Sequence, residues 1–290
     1  MINITLKGGT VKEYPNGISP ASVAADLGAG LYKAACAAKI NGKTVDLRTL
    51  IINDCELEIL TFNDKEGQSA FRHTASHILA QAVKRLYPKA KLTIGPSIDN
   101  GFYYDIDSDV TFDNEALGKI EAEMKKIVKE NIKIERTVMT RSDAIAFFNK
   151  LDEPYKVELI KALPENEEIS CYTQGDFCDL CAGPHLMSTA AVKALKLTSC
   201  TGAYWHGDSN NKVLQRIYGT AFPKASELEK YLIRLEDAKK RDHNKLGREL
   251  EIFTTSDLIG QGLPILLPNG AKIVQILERF VEDEDLKRLL

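Results

Sequence analysis

No other segment limits the fold as much as SAFRHTASHILAQAVKRLYP, residues 69–88. Phe71, Ile78, Leu79, Ala82 and Leu86 recur at helical spacing and mark an apolar face. Pro88 ends the run because it cannot continue a helix. An amphipathic helix of this length has to be covered by other elements, so the region around it reads as a sheet packed by helices. The same segment holds two of the chain's five histidines, His73 and His77. Four residues apart, they lie on one side of the helix with Cβ atoms about 5–6 Å apart and can converge on one point.

The flanking sequence sorts into units. INITL and TVKEY are short alternating runs separated by a turn, and predict a hairpin. In SPASVAADLG, Ser19 is placed to cap a helix, Pro20 suits its first turn and Gly28 stops it. AACAAKI, the turn NGK, TVDL and CELEIL add strands, so residues 1–63 read as a small β-grasp unit. The polar stretch TFNDKEGQ marks a boundary near residue 64. Residues 64–224 alternate strands and helices: IGPSIDNGFYYDID reads as strand, Asn-Gly turn, strand. NEALGKIEAEMKKIVKE, SDAIAFFNK and EPYKVELIKAL read as helices, and SCYTQGDFCDLCAGPHL as strand and loop. Residues 225–245 form a charged connector helix bent near Asp242, and a further unit opens at about Leu246 and runs to 290. The class is α+β.

Composition narrows the setting. The chain has 290 residues, which suits about two domains, and a formal net charge of −3, which argues no bulk attraction to nucleic acid. There is no apolar run long enough to span a membrane and no signal-peptide order at the N-terminus, so a cytoplasmic protein is expected. Six cysteines in so long a chain do not make a disulfide framework. Cys36, Cys55 and Cys200 read as small buried apolar residues.

The second chemical cluster is CDLCAGPH. Cys181 and His185 are again four apart, so the combined pattern is H-x3-H…C-x3-H, four side chains of the kind tetrahedral zinc accepts. No glutamate stands between His73 and His77 to serve as a metalloprotease base. The C-x2-C at Cys178 and Cys181 has no second copy to complete a zinc knuckle. Read singly, Lys156 is a solvated helix lysine, Asp179 a loop cap and Tyr104 a core residue of an alternating strand; Trp205 reads as core. Arg216 and Tyr218 read either as a face toward RNA or as structural strand residues. The basic run KKRDHNKLGR, residues 239–248, reads as a solvated helix face or a path for phosphates.

Together RHTASHILAQAVKRLYP, IGPSIDNGFYYDID, CDLCAGPHL and AYWHGDSNNKVLQRIYGTAFP resemble the second N-terminal domain of threonyl-tRNA synthetases, whose relatives include the alanyl-tRNA synthetase editing domain. Residues 1–63 resemble the TGS domain that precedes it, and residues 246–290 the linker and opening of a class II catalytic domain. The resemblance implies editing, the ester hydrolysis of seryl-tRNA(Thr) at its acceptor end, with tRNA(Thr) as partner. It implies His73 at the attacking water, Lys156 assisting that water, Asp179 reading the seryl amino group, and Gly95 and Tyr104 lining the pocket. His77, Cys181 and His185 would complete the wall. No metal is expected in this cluster, although His73, His77, Cys181 and His185 are its zinc ligands if one binds. ATP, Mg and catalytic zinc belong to the family's catalytic core, expected beyond residue 290. This chain alone is therefore expected not to aminoacylate, and to be a monomer where the full-length enzyme is a dimer. A free-standing trans-editing hydrolase, a non-catalytic RNA-binding module and a zinc hydrolase of another substrate remain as alternatives.

Overall fold

Alternation in the first residues produces the expected hairpin. In a computed structural model describing residues 1–260 and 262–289, β1 (Ile2–Leu6) pairs antiparallel with β2 (Val11–Tyr14). Ser19 accepts a hydrogen bond from Ser22 N and starts α1 (Pro20–Leu27), which ends at Gly28. A second short helix, α2 (Ala29–Ala34), follows without a break and was not foreseen. Then come β3 (Ala35–Ile40), β4 (Lys43–Val45) and β5 (Cys55–Thr61). The sheet order is β2-β1-β5-β3-β4, with β1 and β5 parallel in its middle and α1 laid across it. Ile4, Val23, Leu47 and Leu57 fill the space between.

Asp64 stands at the N-cap of α3 (Lys65–Leu86), so the polar stretch is a three-residue turn after β5 followed by the first turn of the helix. Gly67 in that turn sits on the preceding strand, and a Cβ there would lie 1.9 Å from Thr61 O. From Ala70 to Val83 the helix is buried nearly all round, because small residues (Ala70, Ala75, Ala80, Ala82) let partners approach on several sides. It contacts β3, the α4 helix described next, and a second sheet. Leu86, assigned above to the apolar face, is exposed; Tyr87 fills that level of the core instead, its ring 5.3 Å from Phe112.

The second sheet is built from β6 (Lys91–Leu92), β7 (Ser97–Ile98), β8 (Gly101–Asp107) and, after α4 (Asn114–Glu130), two later strands. A third, small sheet comes between. Its first strand is β9 (Ile134–Met139), followed by α5 (Arg141–Lys150) and α6 (Pro154–Ala162), then β10 (Ile169–Gln174) and β11 (Phe177–Leu180), in the order β11-β10-β9. The long pair β12 (Ala194–Tyr204) and β13 (Val213–Phe222) completes the second sheet in the order β12-β13-β8-β6, with β7 on β8. Phe102, Tyr104 and Ile106 alternate onto the face toward α3 and meet Ile78, Leu79 and Ile120 in one core. Ala144, Phe148, Ile160, Ile169 and Cys171 form a separate core under the third sheet.

All of this lies in one compact unit, Met1–Leu228; the second begins at Glu229. The helix α7 (Ala225–Lys240) stops before Asp242, which caps α8 (His243–Glu249), so the expected bend is there. The second unit contains the hairpin β14 (Phe253–Thr255) and β15 (Pro264–Leu266), and α9 (Pro268–Leu289). Gln261 and Leu290, within the expected 246–290 segment, lie outside the described residues. Among the described residues no helix is long and apolar enough to cross a membrane.

Candidate functional site

Helix α3 supplies His73 and His77 one turn apart. The loop after β11, 108 residues further along the chain, brings Cys181 and His185 to them. Cys181 Sγ lies 3.3 Å from His73 Nε2 and 3.2 Å from His185 Nε2. The three imidazoles touch: ring centroids are 4.3 Å apart for His73–His185, 4.2 Å for His77–His185 and 5.2 Å for His73–His77. The two motifs therefore make one cluster. His77 and His185 are buried, whereas His73, Cys181 and Gly95 keep part of their surface in solvent and form its open side.

Hydrogen-bond satisfaction assigns a direction to this cluster. Thr74 Oγ1 donates to Ala70 O one turn back (2.9 Å) and accepts from Leu186 N (2.9 Å), leaving a lone pair for His185 Nδ1 at 3.2 Å. His185 Nδ1 then carries the hydrogen, and its bare Nε2 accepts from the Cys181 thiol. The sulfur in turn accepts from Gly183 N (3.2 Å) and from His73 Nε2. Along this chain His73 keeps Nδ1 as its free acceptor.

A second group of residues adjoins the cluster. The Lys156 side chain, from α6, is not the solvated lysine that the isolated sequence suggests: it is 2% exposed. Its Nζ lies 2.5 Å from Asp179 Oδ1 and donates to Thr93 O (2.6 Å) and Tyr104 Oη (2.9 Å). Two of the ammonium's three hydrogens go to these neutral oxygens, and its charge faces the carboxylate. Tyr104 Oη donates to Asp179 Oδ2 at 2.6 Å, and His77 Nε2 stands 3.6 Å from the same oxygen. Tyr104 thus meets both readings, with its ring in the core and its hydroxyl in the site. Gly95 packs flat on that ring; its carbonyl accepts from Ser76 Oγ (2.5 Å).

Burial sets the protonation states. It depresses the His73 imidazole to about 3 and His77 to about 4, helped at His73 by the neighbouring His77, and holds His185 well below 6.5. Burial also lifts the Cys181 thiol to about 12 and Tyr104 well above its usual value. Burial works to raise Asp179 too, but Lys156 and His77 outweigh it and keep the carboxyl below 3.8. At neutral pH the site holds neutral rings, a protonated thiol and an ionised carboxylate.

These shifts make acid lability a direct expectation. Each ring has a folded-state pKa below its unfolded value of 6.5, so below that pH the unfolded chain takes up protons that the folded chain refuses. Stability is fully present above 6.5 and falls as the pH drops toward 4, by up to about 1.4 kcal/mol per pH unit for each ring. Urea unfolding in chelator at pH 7, 6 and 5 measures the slope; a flat profile refutes the neutral-ring assignment.

Among the described residues, these four side chains form a metal-capable group, with ligating atoms all within 4.8 Å of one another. A tetrahedral zinc site has edges of about 3.5 Å. Three imidazoles and a thiol therefore fit an ion with small movements. With all four bound, no position is left for a water and His73 loses its lone pair.

Several contributors carried no signal in the sequence: Thr74, Ser76, Thr93, and two residues in the turn after β4, Asp46 and Arg48. Other expectations fall outside the site. Trp205 is buried and donates to Glu158 Oε1 (3.0 Å). Arg216 makes a two-pronged pair with Asp105 (2.7 Å each) and lies 4.0 Å over the Tyr103 ring, which accounts for it structurally. The basic run 239–248 is a mostly solvated helix surface. Cys36 is buried as expected, while Cys55 and Cys200 are only half-buried.

Comparison with known proteins bears on both halves of the first unit. Residues 2–61 match the TGS domain, and residues 169–218 the domain described as "Threonyl and Alanyl tRNA synthetase second additional domain". The chain is 59% identical over 288 residues to "Threonine--tRNA ligase" of Clostridium perfringens (strain SM101 / Type A), an alignment covering 99% of this chain and 44% of that protein. The same-named protein of Clostridium tetani is 59% identical over 287 residues, and that of Acetivibrio thermocellus 56%, each covering 99% of this chain and 45% of the relative. The chain thus spans less than half the length of these relatives.

Proposed function

We propose a function on one premise: the chain is homologous, over nearly all its length, to the N-terminal region of threonine–tRNA ligases and shares their TGS and second additional domains. Its activity is the hydrolysis of seryl-tRNA(Thr), the product of charging with the wrong, smaller amino acid. One missing methyl is worth only about 1–3 kcal/mol in a binding pocket, so a second site that clears the wrong ester is required for accuracy. The observation that carries this reading is the junction of the His73–Cys181–His185 chain with the Lys156–Asp179–Tyr104 group in one half-open site.

Roles follow from the atoms available. His73, the solvent-side ring with a free Nδ1, orients the attacking water near the terminal ribose. A ring depressed to about 3 is a weak base, so its first task is to hold the water's hydrogen rather than to remove it outright. Asp179 retains lone pairs for the seryl ammonium. Lys156 is engaged by Thr93, Tyr104 and the Asp179 charge and acts as a positioning residue that fixes the carboxylate. Gly95 and Tyr104 close the pocket against threonine's extra methyl, and His77, Cys181 and His185 hold His73 in place. No metal is needed in this cycle. The domain limits that accompany the reading are 1–63, 64–224, the 225–245 connector and 246–290. Joining threonine to tRNA(Thr), with ATP, Mg and zinc, is assigned to the portion of the longer relatives that this chain does not span, and a cytoplasmic location fits the same reading.

Incubation with seryl-tRNA(Thr) and threonyl-tRNA(Thr) side by side tests this. Serine release with threonine retained is the expected result, and His73→Ala slows release by about 10²–10⁴-fold with RNA affinity intact. EDTA leaves the rate unchanged, and added zinc inhibits by capturing the His73 lone pair. Loss of activity in EDTA, restored by zinc, favours a metallohydrolase instead; RNA binding without any ester cleavage overturns the hydrolase reading.

A further inference from the structure

Two residues within the TGS match hold the main chain of a residue within the second-additional-domain match. Asp46 and Arg48 follow β4 in the first sheet. Asp46 Oδ2 accepts from His185 N (3.1 Å) and from Tyr172 Oη (3.0 Å), while Asp46 Oδ1 accepts from Arg48 N (2.8 Å) and Nη1 (2.9 Å). Arg48 donates onward to His185 O (3.2 Å), Leu186 O (2.7 Å) and, through Nε and Nη2, to Ile134 O (3.0 and 2.6 Å). The peptide groups on both sides of His185 are therefore gripped by one carboxylate–guanidinium pair from the other domain. The Tyr172 ring, 4.4 Å from the His185 ring, is fixed by the same carboxylate. Its hydroxyl also lies where a side chain on Gly183 would go, 2.1 Å from a Cβ there.

We propose that Asp46 and Arg48 are positioning residues of the hydrolytic site, so that the first domain is a working part of the catalytic machinery of the second. The loop from Cys181 to Ser188 contains no regular element before residue 189, and it carries both the thiol and the third imidazole. The loop is also held near His185 by the Thr74 hydroxyl, by the Gly183 N–H to Cys181 and by Ile134 N donating to Met187 O (3.0 Å). Cutting the clasp frees the His185 backbone and leaves Tyr172 Oη without its acceptor. The ring then loses the fixed Nδ1–Thr74 geometry that keeps Nε2 bare toward Cys181, and His73 loses the sulfur it leans on. A shift of this kind of about 1 Å is enough to cost about 10²-fold in rate without touching the substrate. Arg48 suits the task because its planar fork spreads five donors over three nitrogens and so reaches carbonyls on two chain segments and the Asp46 carboxylate together, whereas a lysine has three hydrogens on a single atom.

The inference rests on the hydrolase reading, and two independent readouts keep the two apart. In the full chain, Asp46→Ala is expected to lower the single-turnover rate of serine release about 10²-fold with KM for seryl-tRNA within about twofold. Asp46→Asn, which keeps one acceptor oxygen, restores most of that rate, and Arg48→Lys falls between. The second readout is the ¹⁵N NMR signature of His185 in chelator: Nδ1-protonated in the unmutated chain, a mixture of tautomers in the variants. If Asp46→Ala does not fold, Arg48→Lys and Asp46→Asn decide by the same two measurements. Full rates with an unchanged His185 signature in folded variants overturn the clasp. If the unmutated chain releases no serine, the hydrolase reading is the one that has failed, and the NMR signature decides the clasp: unchanged in Arg48→Lys it is refuted, mixed it stands.

Discussion

Lys156→Met destabilises the fold by about 3–5 kcal/mol and lowers serine release by at least about 10²-fold. The side chain being replaced sits beside a carboxylate that is 1% exposed, and among the described residues it is the only cation within ion-pair distance of Asp179, because His77 at 3.6 Å is neutral. Methionine fills most of the volume, so the loss is electrostatic rather than a cavity effect. Asp179 is left with the Tyr104 hydrogen bond and no countercharge, in a place where burial already works against ionisation. It answers by taking a proton, and a protonated Asp179 no longer attracts an ammonium group. Thr93 O and Tyr104 Oη lose a donor at the same time. The double replacement Lys156→Met with Asp179→Asn separates the two effects: removing both charges recovers most of the stability, since a buried pair contributes little net over neutral residues that pack as well. It recovers none of the rate. Urea unfolding and single-turnover release on the three variants give the answer, and a Lys156→Met chain as stable as the unmutated one would sink the assignment of a buried ion pair.

That lysine also shows where reading a sequence stops. Within EPYKVELIKAL it looks like any helix flank, because its partners are Asp179, 23 residues away in β11, Thr93 just after β6 and Tyr104 in β8. Local signals did better. The Ser19 cap, the helix ends at Gly28 and Pro88, the Asn-Gly turn before β8 and the break at Asp242 all depend on nearest neighbours and are where the residues place them. The spacing of His73 to His77 and of Cys181 to His185 is legible, and their shared ligand chemistry already suggests one site, but the meeting itself depends on folding over more than a hundred residues. The burial of α3 was underread for a related reason. The apolar residues mark a single stripe, whereas alanines on its other sides make room for the first sheet and for α4, and its polar residues are buried because each is hydrogen-bonded: Thr74 to Ala70 O and Leu186 N, Ser76 to Gly95 O, Gln81 to Gln174 O. Asp46 and Arg48 gave no sign at all: a D-x-R after a short strand is ordinary turn chemistry until His185 is beside it.

Gly95→Ala is the second change with a large effect, and a single methyl group delivers it. A Cβ at this position would lie 2.1 Å from Tyr104 Cδ2 and 2.5 Å from Cε2, far inside contact distance, and the obstacle is a fully buried ring rather than the end of a flexible chain. Either Tyr104 or the strand connection 93–97 has to move. Moving the ring pulls Oη from Asp179 and Lys156; moving the connection strains the Ser76–Gly95 bond and the Thr93 carbonyl that Lys156 holds. The displacement therefore reaches the carboxylate whichever way it is taken up. Overpacking of this kind costs about 1–3 kcal/mol in stability, and misplacing the acceptor groups by about 1 Å costs about 10²-fold in rate. Gly118→Ala is the control. It lies inside α4 with open space around it, so the methyl meets nothing and the helix gains about 0.5–1 kcal/mol. Measured side by side, the two alanines move the urea midpoint in opposite directions, and only Gly95→Ala slows serine release. On the proposed function, threonine's extra methyl would meet Gly95 and Tyr104, so the same variant also tells whether size is read there: an unchanged ratio of seryl to threonyl hydrolysis in Gly95→Ala places the discrimination elsewhere.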